Sequence, residues 1–247
     1  MEAESPIPRA AATMLLVRDD PFEVLMVRRH AKATFASALV FPGGVSEPQD
    51  GDDEWMPLTT GSLDAAERAI RVTAVRETWE ETGLLVASTP NGEDPAGRMT
   101  RTTPFRRLIH DARALLPLGD IHPFAHWITP EHEARRFDTR FFLARAPLGQ
   151  EAVSDGGETV GLEWVSPAAA VERTLAGDSS IIFPTLLNLM RLAESSDSEH
   201  AIRLAHGRPR FTVQPRFESR DDGSTWITIP REAGYDHTEY RVKPATA

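Results

Sequence analysis

Apolar positions near the start of the chain fall into two runs, residues 11–18 and 24–29, separated by the polar break Asp19-Asp20-Pro21-Phe22. Runs of this length bounded by turn-forming residues predict two strands joined by a turn. Leu39-Val40-Phe41 predicts a third strand, ending in the bend Pro42-Gly43-Gly44. Over residues 45–61 the apolar period disappears. This stretch carries Asp50, Asp52, Asp53 and Glu54 among Pro48, Gly51, Pro57 and Gly61, and it reads as a surface loop that could be shortened without harm to the fold.

A helical period follows over residues 63–82, with Ser62 as the expected N-cap and Gly83 in the terminating position. Residues 84–87 predict a short strand, 91–101 a loop and 105–116 a helix. Strands are expected at 124–128, 139–144 and 161–165, and helices at 167–175 and 184–194. Beyond the polar run Ser195-Ser196-Asp197-Ser198, residues 211–217 and 226–229 predict strands around a hairpin turn at Asp221-Asp222-Gly223. The pattern is that of an α/β (α+β) protein with helices packed on a mixed sheet. Residues 1–195 are expected to form the main domain. Residues 196–247 are expected to form a strand-containing extension, packed on the core or pairing with a second copy in a homodimer.

On a wheel, Leu63, Ala66, Ile70, Thr73 and Ala74 form one stripe of the long helix, and Glu77, Glu80 and Glu81 continue it. Val72, Val75 and Trp79 form a second stripe opposite. Three carboxylates therefore stand where core-facing residues belong. Like charges three and four residues apart repel, and the C-terminal end of a helix disfavours negative charge. A divalent cation resolves that conflict, and oxygen-only ligands suit Mg²⁺ or Mn²⁺.

Composition narrows the classes. The net charge of −10 argues against binding a nucleic acid duplex by broad phosphate neutralisation, though a local basic patch or bound metal can still hold a phosphate. The cysteine count of zero removes disulfides, thiol nucleophiles and thiolate metal sites. The acidic N-terminus does not resemble a targeting peptide, and no stretch has the apolar length of a membrane span, so a cytoplasmic enzyme is expected.

Arg76-Glu77-Thr78-Trp79-Glu80-Glu81-Thr82-Gly83-Leu84 resembles the second half of the Nudix box, G-x5-E-x7-R-E-U-x-E-E-x-G-U, with Thr78 where U is usually aliphatic. Phe41-Pro42-Gly43-Gly44 is similar to the strand and bend that open the box. Thirty-one residues separate Gly44 from Arg76, 18 more than the pattern has, and counting back from Arg76 places Arg68 where the early glutamate belongs. Asp64 and Glu67 are the acids considered in its stead. The branch resembling the coenzyme A and acyl-coenzyme A diphosphatases has an insertion at this place. The likeness continues through residues 136–144 and Glu163-Trp164-Val165-Ser166-Pro167.

The resemblance implies a Nudix-type α/β/α sandwich and metal-dependent hydrolysis of a diphosphate bond. By it, Glu77, Glu80, Glu81 and the Gly44 carbonyl would hold the metal, and Arg76 would orient the glutamates. Glu80 or Glu158 would accept the proton of the attacking water. Arg28, Arg29 and Phe41 are the candidate substrate contacts. The leading substrate is coenzyme A or acyl-coenzyme A. The alternatives are ADP-ribose or a nucleoside diphosphate sugar, and a domain that binds a nucleotide without cleaving it. The coenzyme A signature upstream of Phe41 is incomplete, since its second arginine and glycine are absent. The histidines, His110 and His126 among them, show no metal-ligand spacing.

Overall fold

The spine of the molecule is β1 (Arg9–Arg18), whose side chains alternate strictly between two faces. Ala12, Met14 and Leu16 enter one core and Leu15 and Val17 the other, all of them fully buried. A strand buried on both faces demands a layer on each side, and the rest of the chain supplies both. The computed structural model describes residues 6–30, 38–90, 92, 96, 101–157, 159–177 and 181–242.

After β1 come β2 (Glu23–Arg29), β3 (Leu39–Val40), β4 (Gly43–Val45), β5 (Thr59–Thr60), α1 (Ala65–Thr82) and α2 (Phe105–Asp111). Then follow β6 (Leu116–Pro117), β7 (His122–Ile128), β8 (Phe137–Arg145), β9 (Thr159–Val165), α3 (Pro167–Ala176) and α4 (Phe183–Leu192). The chain closes with α5 (Ser198–Gly207), β10 (Thr212–Val213), β11 (Arg216–Ser219), β12 (Thr225–Thr228) and β13 (Glu239–Arg241). The main sheet runs β10-β7-β8-β1-β2-β3, with β4 added to β1 and β9 to β2. It is mixed: β8 lies parallel to β1, and β10 parallel to β7, while β2, β4 and β7 pair antiparallel with their neighbours.

One face of the sheet packs Val72, Val75 and Trp79 of α1, joined by Leu84, Leu85, Phe105 and Leu108. The other face packs Leu187, Leu189 and Leu192 of α4 and Ala201 and Ala205 of α5. The architecture is therefore an α/β/α sandwich around a mixed sheet. Among the described residues no helix is long and apolar enough to cross a membrane.

The stretch over residues 45–61 corrects the surface-loop reading. It forms two 3-10 turns, Pro48–Gly51 and Asp53–Leu58, before entering β5. Asp50 is 0% exposed and Trp55 2% exposed. Trp55 donates its Nε1–H to the Gln49 carbonyl at 2.9 Å and lies 5.7 Å from the Phe105 ring, centroid to centroid. The stretch lacks a period because its buried residues face partners distant in sequence and not one flat surface. It covers a second side of α1, which explains why that helix is buried almost all round from Arg71 to Thr82.

Smaller departures have local causes. The helix α1 begins at Ala65, capped by Asp64, whose Oδ1 accepts from the Glu67 N–H at 2.8 Å, and not by Ser62. Residues 84–87 form no strand, and Ala87 N–H turns back to the Leu85 carbonyl at 3.0 Å. The Gln150 side chain stands in as a strand partner, accepting from Leu85 N–H at 2.7 Å and donating to the Leu85 carbonyl at 3.2 Å. The helix expected over 105–116 stops at Asp111, near Arg113 with its positive φ of 52°.

The sequence reading assigned no helix to residues 198–207, where α5 forms. Its buried positions are the small residues Ser198, Ala201 and Ala205, which give little hydrophobic signal. Residues 211–217 divide between β10, which extends the main sheet, and β11, which forms the sheet β11-β12-β13. The last segment is pinned beneath α4. Tyr235 donates its O–H to Asn188 Oδ1 at 2.7 Å and accepts from Trp127 Nε1–H at 3.1 Å. Arg191 lies 3.5 Å over the Tyr235 ring and donates to the Ala233 carbonyl at 2.7 Å.

Trp55 supplies the largest side chain that the 45–61 stretch buries, so Trp55→Ala is expected to cost about 3–5 kcal/mol of stability. Equilibrium urea unfolding checks this. A loss within about 0.5 kcal/mol, as for ordinary surface substitutions, would restore the dispensable-loop reading.

Candidate active site

Two side chains of the last two turns of α1, Glu77 and Glu81, meet the backbone of β4, and Glu80 is joined to them through Arg76. This follows from register. Gly44 stands opposite Ala12 and Gly43 opposite Thr13, which lays the glycine bend across β1 and under the helix. A Cβ at Gly43 would fall 2.4 Å from the Ala12 carbonyl oxygen, and a Cβ at Gly44 would fall 2.4 Å from Glu77 Oε2. At Gly43, with its φ of 156°, the approach to the β1 backbone requires glycine, and at Gly44 a side chain would displace the Glu77 carboxylate. Glu81, 5% exposed, accepts from the Gly43 N–H through Oε2 at 2.9 Å.

Arg76 organises the cluster. Its Nη1 donates to Glu77 Oε1 and to Glu80 Oε2, both at 2.9 Å. Its Nη2 donates to the Val45 carbonyl at 3.0 Å and to Asp50 Oδ2 at 2.8 Å, and its Nε donates to Asp50 Oδ1 at 2.9 Å. All five N–H donors of the guanidinium are thus used. Burial alone would pull the Arg76 pKa down. The hydrogen bond to Asp50 and the charges of Glu77, Asp50 and Glu80 more than reverse this, so the group stays above its ordinary value and cationic.

Asp50 is the residue that sequence reasoning missed. Besides the bidentate pair with Arg76, its Oδ2 accepts from Thr73 O–H at 2.9 Å and from Glu47 N–H at 3.0 Å. Neither acid considered for the early glutamate plays this part, since Asp64 caps α1 and Glu67 pairs with Arg71. Arg68 pairs with Asp53 at 3.1 Å. A signal was present: counting forward from Gly44, five residues intervene before Asp50, the place where the box has its first glutamate.

Glu80 is the most open of the three, with 42% of its side chain exposed. Burial raises its pKa above the ordinary carboxyl value, outweighing the opposing pull of Arg76. Among the described residues, no three His, Asp or Glu side chains converge closely enough to hold a metal ion between them. The cause is visible in the partners, since Glu77 and Glu80 turn to Arg76 and Glu81 turns to Gly43. The donor set itself is all oxygen and dense in negative charge, and it lies against a backbone kept bare by glycine. That chemistry fits a hard divalent cation.

The other expected site residues are dispersed. Arg28 is exposed at the end of β2. The backbone of Arg29 pairs with Thr159, whose hydroxyl donates to the Glu81 carbonyl at 3.3 Å and to Asp155 Oδ1 at 2.7 Å. The end of β2 is thereby tied to the end of α1. Glu158 and the side chain of Arg29 lie outside the described residues. Phe41 corrects its expectation. At 2% exposed it packs with Leu15, Phe141 and Leu187 in the core on the α4 face, where it has no surface to offer a substrate.

The chain belongs to the Nudix family: the model of the NUDIX domain matches residues 7–186. It is 26% identical over 226 residues to the acyl-coenzyme A diphosphatase NUDT19 of Xenopus laevis, covering 69% of this chain and 60% of that protein. It is 25% identical over 243 residues to the human protein of that name, covering 76% of this chain and 64% of that protein. The match therefore spans under two thirds of the length of either relative. Among solved structures, a NUDIX hydrolase from Alicyclobacillus acidocaldarius superposes with a TM-score of 0.69 at 28% identity, over 80% of this chain and 96% of that one.

Asp50→Asn should remove the buried carboxylate that Arg76 grips through Nε and Nη2, leaving only Glu77 and Glu80 to offset its charge. Removing one partner of such a pair costs about 3–5 kcal/mol. Chemical denaturation of the variant is the check, and an unchanged midpoint would mean that the pair does not brace the helix.

Proposed function

We propose that this chain hydrolyses a diphosphate bond with the help of Mg²⁺ or Mn²⁺, and that its substrate is coenzyme A or acyl-coenzyme A. The observation that carries the reading is the glutamate cluster of α1, packed on the Gly43-Gly44 bend and fixed by a fully bonded Arg76. Carboxylates crowded at a helix C-terminus are unfavourable by themselves. Their presence beside an arginine that already neutralises part of the charge speaks for a further cation. When bound, the divalent ion supplies Lewis acidity for the diphosphate and lowers the pKa of water.

The roles follow from the contacts. Glu77, Glu80 and Glu81, with the Gly44 carbonyl, would hold the ion, and Arg76 keeps the glutamates in register. Glu80 is the candidate proton acceptor within the cluster, being the most open and having a pKa raised by burial. Glu158 is the alternative acceptor, next in sequence to Thr159, which is tied to Glu81. Arg28 and Arg29, at the strand end joined to this corner, would meet a substrate phosphate. The coenzyme A assignment draws on the name of the NUDT19 relatives, acyl-coenzyme A diphosphatase.

Thorough chelation is expected to abolish phosphate-bond cleavage across a panel of coenzyme A, acyl-coenzyme A, ADP-ribose and a nucleoside diphosphate sugar. Added Mg²⁺ or Mn²⁺ should restore it. Activity that survives chelation would overturn the mechanism, and a preference for ADP-ribose would overturn the substrate.

Glu81→Gln keeps a carbonyl oxygen for the Gly43 N–H and should fold normally, while kcat falls about a hundredfold or more. Wild-type turnover in that variant would remove Glu81 from the metal site.

A further inference from the structure

A cavity of about 680 Å³ lies between the Pro48–Leu58 turns and α2, a size within the range of small-molecule sites. Asp50 and Arg76 form part of its lining, so it adjoins the pair that holds Glu77 and Glu80. Trp55, Leu58 and Phe105 give it an apolar side. Arg106, Arg107 and His110 of α2 line it too, with the acids Glu54 and Asp111 beside them. Arg106 pairs with Asp52 and Glu54 and so clasps the turns to the helix.

Arg107 and His110 have a different setting. Both side chains are 75% exposed, and both turn to one carboxylate, Asp111, Arg107 through Nε at 3.3 Å and His110 through Nδ1 at 3.2 Å. These are long, solvent-screened contacts of the kind that contribute little to stability. A guanidinium offers five donors in a planar fork, and Nε accounts for one. The Nη pair matches a phosphate oxygen pair, and a histidine one turn away adds a further donor.

We propose that this cavity seats the nucleoside half of the substrate, and that Arg107 and His110 recognise a phosphomonoester carried on that half. The inference deepens the diphosphate-hydrolase reading and rests on it. It assigns substrate choice to the residues 48–58 turns together with α2. A ribose-bound phosphate of the coenzyme A type is selected. ADP-ribose and nucleoside diphosphate sugars, which lack that group, gain nothing from the two side chains.

The test uses the full chain, the double variant Arg107→Ser/His110→Ala and two probes, adenosine 3′,5′-bisphosphate and adenosine 5′-monophosphate. Calorimetric binding of the bisphosphate should be tighter by about tenfold in the wild type, as one charge-assisted hydrogen bond provides. The double variant, shown to be folded by circular dichroism, should lose that preference. Its KM should rise about tenfold for coenzyme A at unchanged kcat, and stay constant for dephospho-coenzyme A. Equal binding of the two probes by the wild type, or a preference that survives both substitutions, overturns the proposal. A wild type that binds with the expected preference yet cleaves neither coenzyme refutes the hydrolase reading and leaves the subsite standing.

Discussion

The guanidinium of Arg76 is the point on which the site depends. It is buried, and every one of its donors is used: one carboxylate of the 48–51 turn, two of its own helix and one carbonyl of β4. A single planar cation thus joins three pieces of chain, and the Glu81–Gly43 and Thr73–Asp50 hydrogen bonds support the same corner. Replacing such a buried pair by apolar residues is often neutral for stability, so its worth lies in geometry more than in net free energy. What the network specifies is the rotamers and spacing of Glu77 and Glu80, and hence where a cation would be held.

The glycine bend is the complement to that arginine. Gly43 and Gly44 let β4 pair closely alongside β1 and leave room for the Glu77 carboxylate at contact distance. A side chain at Gly43 would collide with the backbone of β1 at Ala12 and Thr13, and one at Gly44 would displace the Glu77 carboxylate. The long stretch between the bend and the helix is no obstacle to this closeness. Loop closure grows only as the logarithm of length, about 0.6 kcal/mol per doubling, so extra residues cost little when some of them pack. Trp55 and Asp50 are the residues that pack. They turn an excursion into one wall of a cavity that reaches the Asp50–Arg76 pair.

The opposite face of the sheet is finished by the C-terminal segment. α5 and β10 cover and extend the sheet at β7, and Tyr235 inserts its hydroxyl between Trp127 and Asn188. Arg191 covers the ring of Tyr235 and caps two carbonyls of the same turn, so its charge is held by a ring face and by dipoles. These contacts belong to the same core as Leu15 and Val17 of β1.

Local pattern alone determined most of the elements. The alternation along β1 and β2, the helical period ending at Gly83 and the hairpin turn at Asp222 are encoded by neighbouring residues, because strand and helix periods and turn preferences act over a few positions. The glutamate cluster and its arginine were legible too, since they share one helix. Asp50 was not, although it sits at the expected count from Gly44. It is an acid in a run of acids, and only its partner 26 positions away makes it a core residue. Phe41 misled in the reverse sense: its place beside the glycine bend marks the site, but the strand's alternation turns its side chain to the other core. α5 was missed because small residues bury well against a sheet yet carry little hydrophobic signal. Which residues share a face is a short-range property that the sequence displays. Which distant charges meet is decided only when packing removes water and requires each buried charge to find its partner.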